Sequence, residues 1–151
     1  MLVIVLDQFT KFLASHFLQV HVPVELLPGL SLTLMHNTGA AFSFLSKAGG
    51  WQRWFFIVLT AVVSIVIVIW LIKLSRSQRW VACALALILG GALGNLYDRI
   101  LLGYVVDFID AYYRNYHWPA FNIADSAITC GAVMLIIDAV FFNRKDNATD
   151  T

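Results

Sequence analysis

Apolar residues in this chain come in long blocks. Trp54–Ile72 is nineteen residues without a charged side chain. Trp80–Tyr97 and Ser126–Phe142 are similarly long, the first ending in polar residues and the second carrying Asp138. At about 1.5 Å per helical residue, each covers most of a hydrocarbon core about 30 Å thick. Met1–Leu18 predicts a fourth helix, interrupted by Asp7, Gln8 and Lys11. Between the first two helices the pattern changes. Leu30-Ser31-Leu32-Thr33-Leu34 alternates, with Pro23, Pro28 and Gly29 nearby, so Val20–Leu45 predicts two or three short strands with turns. Ile109–Trp118, rich in Tyr, Trp and Asp, predicts an amphipathic interfacial segment ahead of Pro119.

Composition then names the solvent. Of 151 residues, 60% are hydrophobic and 13% charged, and the mean hydropathy is +0.79. Soluble domains average about 45–50% apolar and about 25% charged. A soluble core of this length cannot hide the excess, so the helices are expected to face lipid. One membrane domain over residues 1–151 is the expectation. Lys73, Arg76 and Arg79 crowd one linker, and Arg144 and Lys145 open the tail, whereas residues 98–125 hold four Asp against two Arg. By the positive-inside rule both termini are expected in the cytoplasm and the two longer loops outside. The expected fold is a four-transmembrane-helix bundle with a small extracytoplasmic β-sheet cradle and an interfacial helix. Trp51, Trp54, Trp80 and Trp118, near the ends of the predicted spans, fit an interfacial belt.

Charge and cysteine exclude more than they assign. A net charge of +1 with no basic stripe excludes a nucleic-acid surface. Cys83 and Cys130 lie in different apolar runs, at opposite ends of their helices, and read as packing residues. The N-terminus has no basic leader and no A-x-A site, so the first helix is expected to stay in the protein. The sequon at Asn147 falls on the expected cytoplasmic tail and carries no meaning there.

Polar side chains inside apolar helices are costly, so each is a candidate for function. Gly91, Asn95, Asp98 and Arg99 fall at i, i+4, i+7 and i+8, on one helix face. Packing alone is the plainer reading: Gly90 and Gly94 form a G-x-x-x-G, and Asn95 can bridge helices. Asp7 and Lys11, at i and i+4, read as a pair neutralising itself within one helix. Asn37-Thr38-Gly39 reads as a tight turn in which Gly39 permits positive φ. Asp125 fits a helix N-cap region and Asp107 an exposed loop acid, although apolar neighbours on both sides speak against exposure for Asp107.

Brought together by a short hairpin, Asp107 and Asp125 would form a dyad. Two carboxylates sharing a site cannot both ionise easily, so one keeps its proton near neutral pH. The ionised one takes a proton from water while the protonated one hydrogen-bonds a carbonyl. Other chemistries find less support. The four histidines are scattered without metal-ligand spacing, and no G-x-S-x-G is present. Ser43 or Ser46 with Lys47 or Lys11 leaves open a Ser/Lys peptidase. A small four-helix proton or cation transporter using Asp98, Asp107 and Asp125 is a further alternative.

Five strings taken together resemble lipoprotein signal peptidase, the bacterial type II signal peptidase family. They are Asp7-x-x-x-Lys11, Asn37-Thr38-Gly39-Ala40-Ala41-Phe42-Ser43, the run from Gly90 through Asn95 to Asp98-Arg99, Val105-Val106-Asp107-Phe108, and Phe121-Asn122-Ile123-Ala124-Asp125-Ser126. They come in the family's order over nearly the whole chain. The resemblance implies an aspartic endopeptidase of the inner membrane that cuts prolipoproteins before the diacylglyceryl-modified cysteine. It implies Asp107 and Asp125 as the catalytic pair, with Asn95, Arg99 and Asn122 positioning the dyad and substrate. Asp7, Lys11, Asn37, Gly39, Gly91 and Asp98 would support the site. No metal and no cofactor is implied, and the working form is expected to be a monomer among membrane lipids. Only six residues precede Asp7, fewer than the family's first helix normally carries, so the start is expected to be truncated or set at an internal Met.

Overall fold

The computed structural model describes residues 1–39 and 50–142. The elements run α1 (Leu2–Phe17), β1 (Val24–Leu27), β2 (Leu30–Asn37), α2 (Trp51–Lys73), α3 (Arg79–Leu101), β3 (Val105–Tyr113), β4 (Tyr116–His117) and α4 (Ile123–Ile137). A π-helical turn over Asp138–Phe142 prolongs α4. Among the described residues three helices, Trp51–Lys73, Arg79–Leu101 and Ile123–Phe141, are long and apolar enough to cross a membrane. The first helix forms where expected, but its 16 residues fall short of that length. On α2 the apolar side chains of Val58, Val62, Ile65, Val66, Ile69 and Ile72 stand exposed. Such a surface is at rest only in lipid.

The bundle is built around α3, which packs on α1, α2 and α4. Small residues set the spacing, as they do where helices must approach without large side chains between them. Gly90 faces Val3 and Gly94 faces Asp7, so the G-x-x-x-G does pack α3 on α1. Gly91 faces the other way, onto α4. A Cβ added there would lie 2.3 Å from the Ala124 carbonyl oxygen and 2.8 Å from Ile128 Cγ1. Gly131 meets α3 in the same manner, 2.5 Å from the Ala84 carbonyl oxygen. Both contacts involve backbone, which cannot swing aside. Gly91→Ala and Gly131→Ala are each expected to cost about 1–3 kcal/mol by overpacking, read as a lowered unfolding midpoint in detergent. Only Gly91→Ala, beside the N-terminus of α4, is expected also to reduce turnover per folded molecule.

The sheet has the order β1-β2-β3-β4, with every pairing antiparallel. Pairing of β2 with β3 shifts between Leu32 and Met35: Leu32 faces Ile109, whereas Met35 faces Asp107. Thr33 and Leu34 therefore stand opposite Phe108 alone. Such a bulge bends the strand and re-aims its side chains. Thr33 turns to Asp110, while Leu34 joins Ala14, Val106 and Phe108 in the core between α1 and the sheet.

Three expectations need correction or narrowing. Ile109–Trp118 is no interfacial helix; it is the end of β3, a turn and β4, with Tyr112 paired to His117 and Tyr113 to Tyr116. Ile, Tyr and Tyr suit a pleated partner surface, β2 offers an edge to pair with, and Arg114 takes a left-handed φ of 56° that breaks any helix. Cys83 and Cys130 are free thiols on exposed helix faces rather than packing residues. Val20–Leu45 yields β1 and β2, and its part from Ala40 onward lies outside the described residues.

Candidate active site

The sheet end of the bundle gathers nearly every polar side chain that the apolar pattern made conspicuous. Lys11 is its buried cation. Its Nζ lies 2.8 Å from Asp7, 2.8 Å from Asp98 and 2.9 Å from Asn95 Oδ1. The self-neutralising pair of α1 is thus present but serves α3 as well. Asp98 accepts from Gln8 Nε2 at 2.8 Å and from the backbone N–H of Val106 at 3.2 Å, tying α1, α3 and β3 together. Asp7 reaches across to α4, where its Oδ1 accepts the Ala124 N–H at 3.0 Å. A carboxylate at that position satisfies an orphan amide of a helix N-terminus and meets the positive end of the helix dipole.

Above this layer lie two carboxylates held apart from the lysine. Asp107, on β3, accepts from Asn122 Nδ2 at 2.7 Å and from Asn37 Nδ2 at 3.0 Å. Asp125, in the first turn of α4, accepts from Asn95 Nδ2 at 2.8 Å and from the Asn122 backbone N–H at 3.3 Å. Asn122 is the joint between them. Fully buried, it caps α4 by accepting the Asp125 N–H at 2.9 Å, and its amide also donates to Asn95 Oδ1 and the Val106 carbonyl. Asp125 completes a reciprocal capping box, so the N-cap reading was right in kind but placed the cap three residues late. Asp107 is 2% exposed and no loop acid. Burial, and then the nearby Asp125 carboxylate, push Asp107 up to about 7.

Both carboxylates line a cavity of about 540 Å³, together with Asn37, Asn95, Arg99 and Ser126. Its wall continues down α4 through Ile128, Thr129 and Cys130. Arg99 donates to the Gly39 carbonyl at 3.0 Å and lies over the Phe56 ring, 5.3 Å from its centroid. Gly39 in turn donates its N–H to Asn37 Oδ1 at 3.0 Å, closing the turn after β2. The residues singled out in the sequence thus converge: Asp7, Lys11, Asn95 and Asp98 in the buried layer, Gly91 at the α3–α4 contact, Asn37, Arg99, Asp107 and Asp125 on the cavity wall, and Gly39 and Asn122 hydrogen-bonded to that wall. Ser43, Ser46 and the remainder of the Asn37–Ser43 string lie outside the described residues. Among the described residues no group of three His, Cys, Asp or Glu could hold a metal ion.

Two contributors escaped the sequence reading. Gln8 bonds Asp7, Asp98 and the Gly94 carbonyl at once. Its polarity inside the first apolar run, between Asp7 and Lys11, was the available signal. Arg53, at the head of α2, donates to the carbonyls of Arg99 and Ile100, both at 2.9 Å, and so fixes the end of α3. Nothing in the local sequence pointed to that.

Long apolar helices, a small sheet and a cavity between them that holds two carboxylates make this a membrane-embedded fold with an enzyme-like site. Two solved bacterial membrane enzymes share it. One, determined at 2.3 Å, aligns with a TM-score of 0.85 and 35% identity over 99% of this chain and 87% of its own. Another, at 1.9 Å, gives 0.81 and 36% over 93% and 89%. The family model described as signal peptidase (SPase) II matches residues 1–141. Curated relatives named lipoprotein signal peptidase include that of Acinetobacter baumannii, 60% identical over 95% of this chain and 82% of the relative. That of Teredinibacter turnerae is 58% identical over 93% and 84%, and that of Pseudomonas fluorescens 54% over 99% and 88%. The chain belongs to the signal peptidase II family and is a peptidase, which removes the transporter alternative.

Proposed function

We propose that this chain is an intramembrane aspartic endopeptidase that cleaves prolipoproteins before the diacylglyceryl-modified cysteine. The observation that carries the reading is the pairing of Asp107 and Asp125 on one cavity wall, joined through Asn122 and each fixed by amide donors. Four helices span the inner membrane as one domain over residues 1–151, with both termini cytoplasmic and the site at the outer face. There a lipid anchor would hold the scissile bond level with the dyad. The working form is a monomer, and neither metal nor cofactor enters the reaction.

A water held between the two carboxylates attacks the scissile carbonyl. The ionised Asp takes its proton as the tetrahedral intermediate forms, and the protonated Asp hydrogen-bonds the developing oxyanion. No acyl-enzyme is formed: as the intermediate collapses the C–N bond breaks, and the Asp that took the water proton gives it to the leaving amine. The amides of Asn95, Asn122 and Asn37 keep both carboxylates oriented without neutralising them, while Arg99 braces the Asn37–Gly39 turn and supplies positive charge to the cavity.

The test is cleavage of a diacylglyceryl-modified prolipoprotein by purified enzyme in detergent, followed as a gel shift. Activity is expected to withstand EDTA and serine-directed reagents; loss to either would overturn the mechanism. Its pH dependence has a definite sign. The pair works with a single shared proton and titrates as a unit. With Asp107 raised to about 7, that proton is lost as pH rises through about 7, so kcat declines on the alkaline side. An alkaline limb lying beyond pH 9 would count against a carboxyl as the proton donor.

A further inference from the structure

Beyond Asp107 lies a second cavity, of about 300 Å³, which shares Asn37, Asp107 and the Trp118–Ala120 segment with the larger one. Its remaining wall is made only by the sheet: Met35 and His36 from β2, Asp110 from β3 and His117 from β4. The two cavities therefore flank the same carboxylate but lead in different directions. One descends along α4 past Ser126, Ile128, Thr129 and Cys130, and the other runs out over the strands.

The walls also differ in charge. Arg99 lines the first cavity, whereas the described lining of the second contains no Lys or Arg. Asp110 is 5% exposed and held in place on three sides. Ser31 Oγ and Thr33 Oγ1 donate to its Oδ2 at 3.2 and 3.1 Å, and His117 Nδ1 stands 2.9 Å from its Oδ1. The bulge in β2 sets Thr33 on this carboxylate. Burial, and secondarily His21, hold His36 below the usual histidine range, so near neutral pH it adds no positive charge. Asp107 and Asp110 thus face the cavity; Lys11 and Arg99 act on Asp107 from outside its described lining, and His117 stands on Asp110 within it.

We propose that this second cavity is the subsite for the second residue of the mature chain, the one following the lipid-modified cysteine, and that Asp110 makes it favour neutral polar or basic side chains over acidic ones. The assignment rests on the peptidase reading above. A signal peptide arrives from the bilayer and suits the cavity descending α4. The mature chain leaves the bilayer, and the cavity over the sheet is its way out. Like charge then supplies the selectivity, since an Asp or Glu entering here would meet buried carboxylates with no lysine or arginine among the described lining residues to answer it.

Three lipid-modified substrates differing only in that residue, Ser, Lys or Asp, decide the matter. Wild-type kcat/KM at pH 7.5 is expected to be about tenfold lower for the Asp substrate than for the Lys substrate. Asp110→Asn is expected to shrink that ratio to about twofold. Should Asp110→Asn fail to fold, Met35→Lys serves instead. Met35 sits on the cavity rim, opposite Asp107 in the strand register, and a cation there is expected to make the Asp substrate the better one. Equal cleavage of all three substrates by wild type, or an unchanged ratio in folded Met35→Lys, would overturn the subsite and leave the peptidase reading intact. A folded Asp110→Asn that keeps the full ratio would overturn the role given to Asp110. Wild type that cleaves none of the three would bring down the peptidase reading itself, and the subsite with it.

Discussion

Asp107→Asn and Asp125→Asn are each expected to lower cleavage of a lipid-modified prolipoprotein by at least about a thousandfold, the scale of losing a positioned proton-transfer group. Both variants should fold, because asparagine keeps the shape of the carboxylate and can still accept one of the two hydrogen bonds that each Asp receives. Folding is checked by monodisperse elution and a cooperative thermal transition. Appreciable cleavage by either folded variant would sink the dyad and return attention to serine chemistry. Asp107→Asn carries a second signature. The Asp107 carboxyl rises from an ordinary 3.8 to about 7 in the folded protein, so ionising it works against folding. In wild type this contribution is complete below about pH 4 and is lost as pH climbs to about 7. The variant lacks that group, so its melting temperature should fall less between pH 4 and pH 7 than that of wild type. Matching slopes would mean that Asp107 titrates alike in the folded and unfolded states.

Lys11→Met is expected to cost about 3–5 kcal/mol of stability, the range for breaking a buried charge cluster by removing one partner. The reason lies in the arithmetic of the layer beneath the dyad. Asp7 and Asp98, 0% and 1% exposed, both lean on the same ammonium. Without it two carboxylates remain in an apolar bundle, and Asn95 Oδ1 loses its lysine donor. Adding Asp7→Asn to Lys11→Met should recover part of the loss, since one of the stranded charges is then gone. The measurement is the unfolding midpoint in detergent for wild type, the single variant and the double variant. A single variant as stable as wild type would show that the lysine offsets nothing.

How far the sequence carried the reader depended on the kind of signal. Uninterrupted apolar runs marked α2, α3 and α4 to within a few residues, because a helix in lipid has no need for a polar face. Asp7, Asn95, Asp98 and Arg99 stood out for the same reason, as costly residues in apolar surroundings. Spacing on one helix even placed Gly91 and Asn95 on a common face. Which partner each would meet was not legible. Asp7 meets Ala124 across 117 positions of chain, and no local pattern encodes that contact. The segment Ile109–Trp118 was misjudged because aromatic and acidic residues suit an interfacial helix as well as a strand, and pairing with β2 decided the matter. Asn122 could be read as a neighbour of Asp125, but its service to Asp107, Asn95 and Asp125 together depends on how β3 crosses the head of α4.

The contact between Asp7 and the head of α4 has a consequence for the order of assembly. Translation delivers α1 first and α4 last, so for most of synthesis the Asp7 carboxylate has no helix terminus to cap. Lys11, one turn away, is its only charged companion from the start, and this internal pair lets the helix wait without a bare charge. Once α3 arrives the lysine is shared with Asp98, and once α4 arrives Asp7 turns its second oxygen to the new amide. Asp107 and Asp125 come into register only at that final docking. A nascent chain therefore holds no working protease until its last helix is in place.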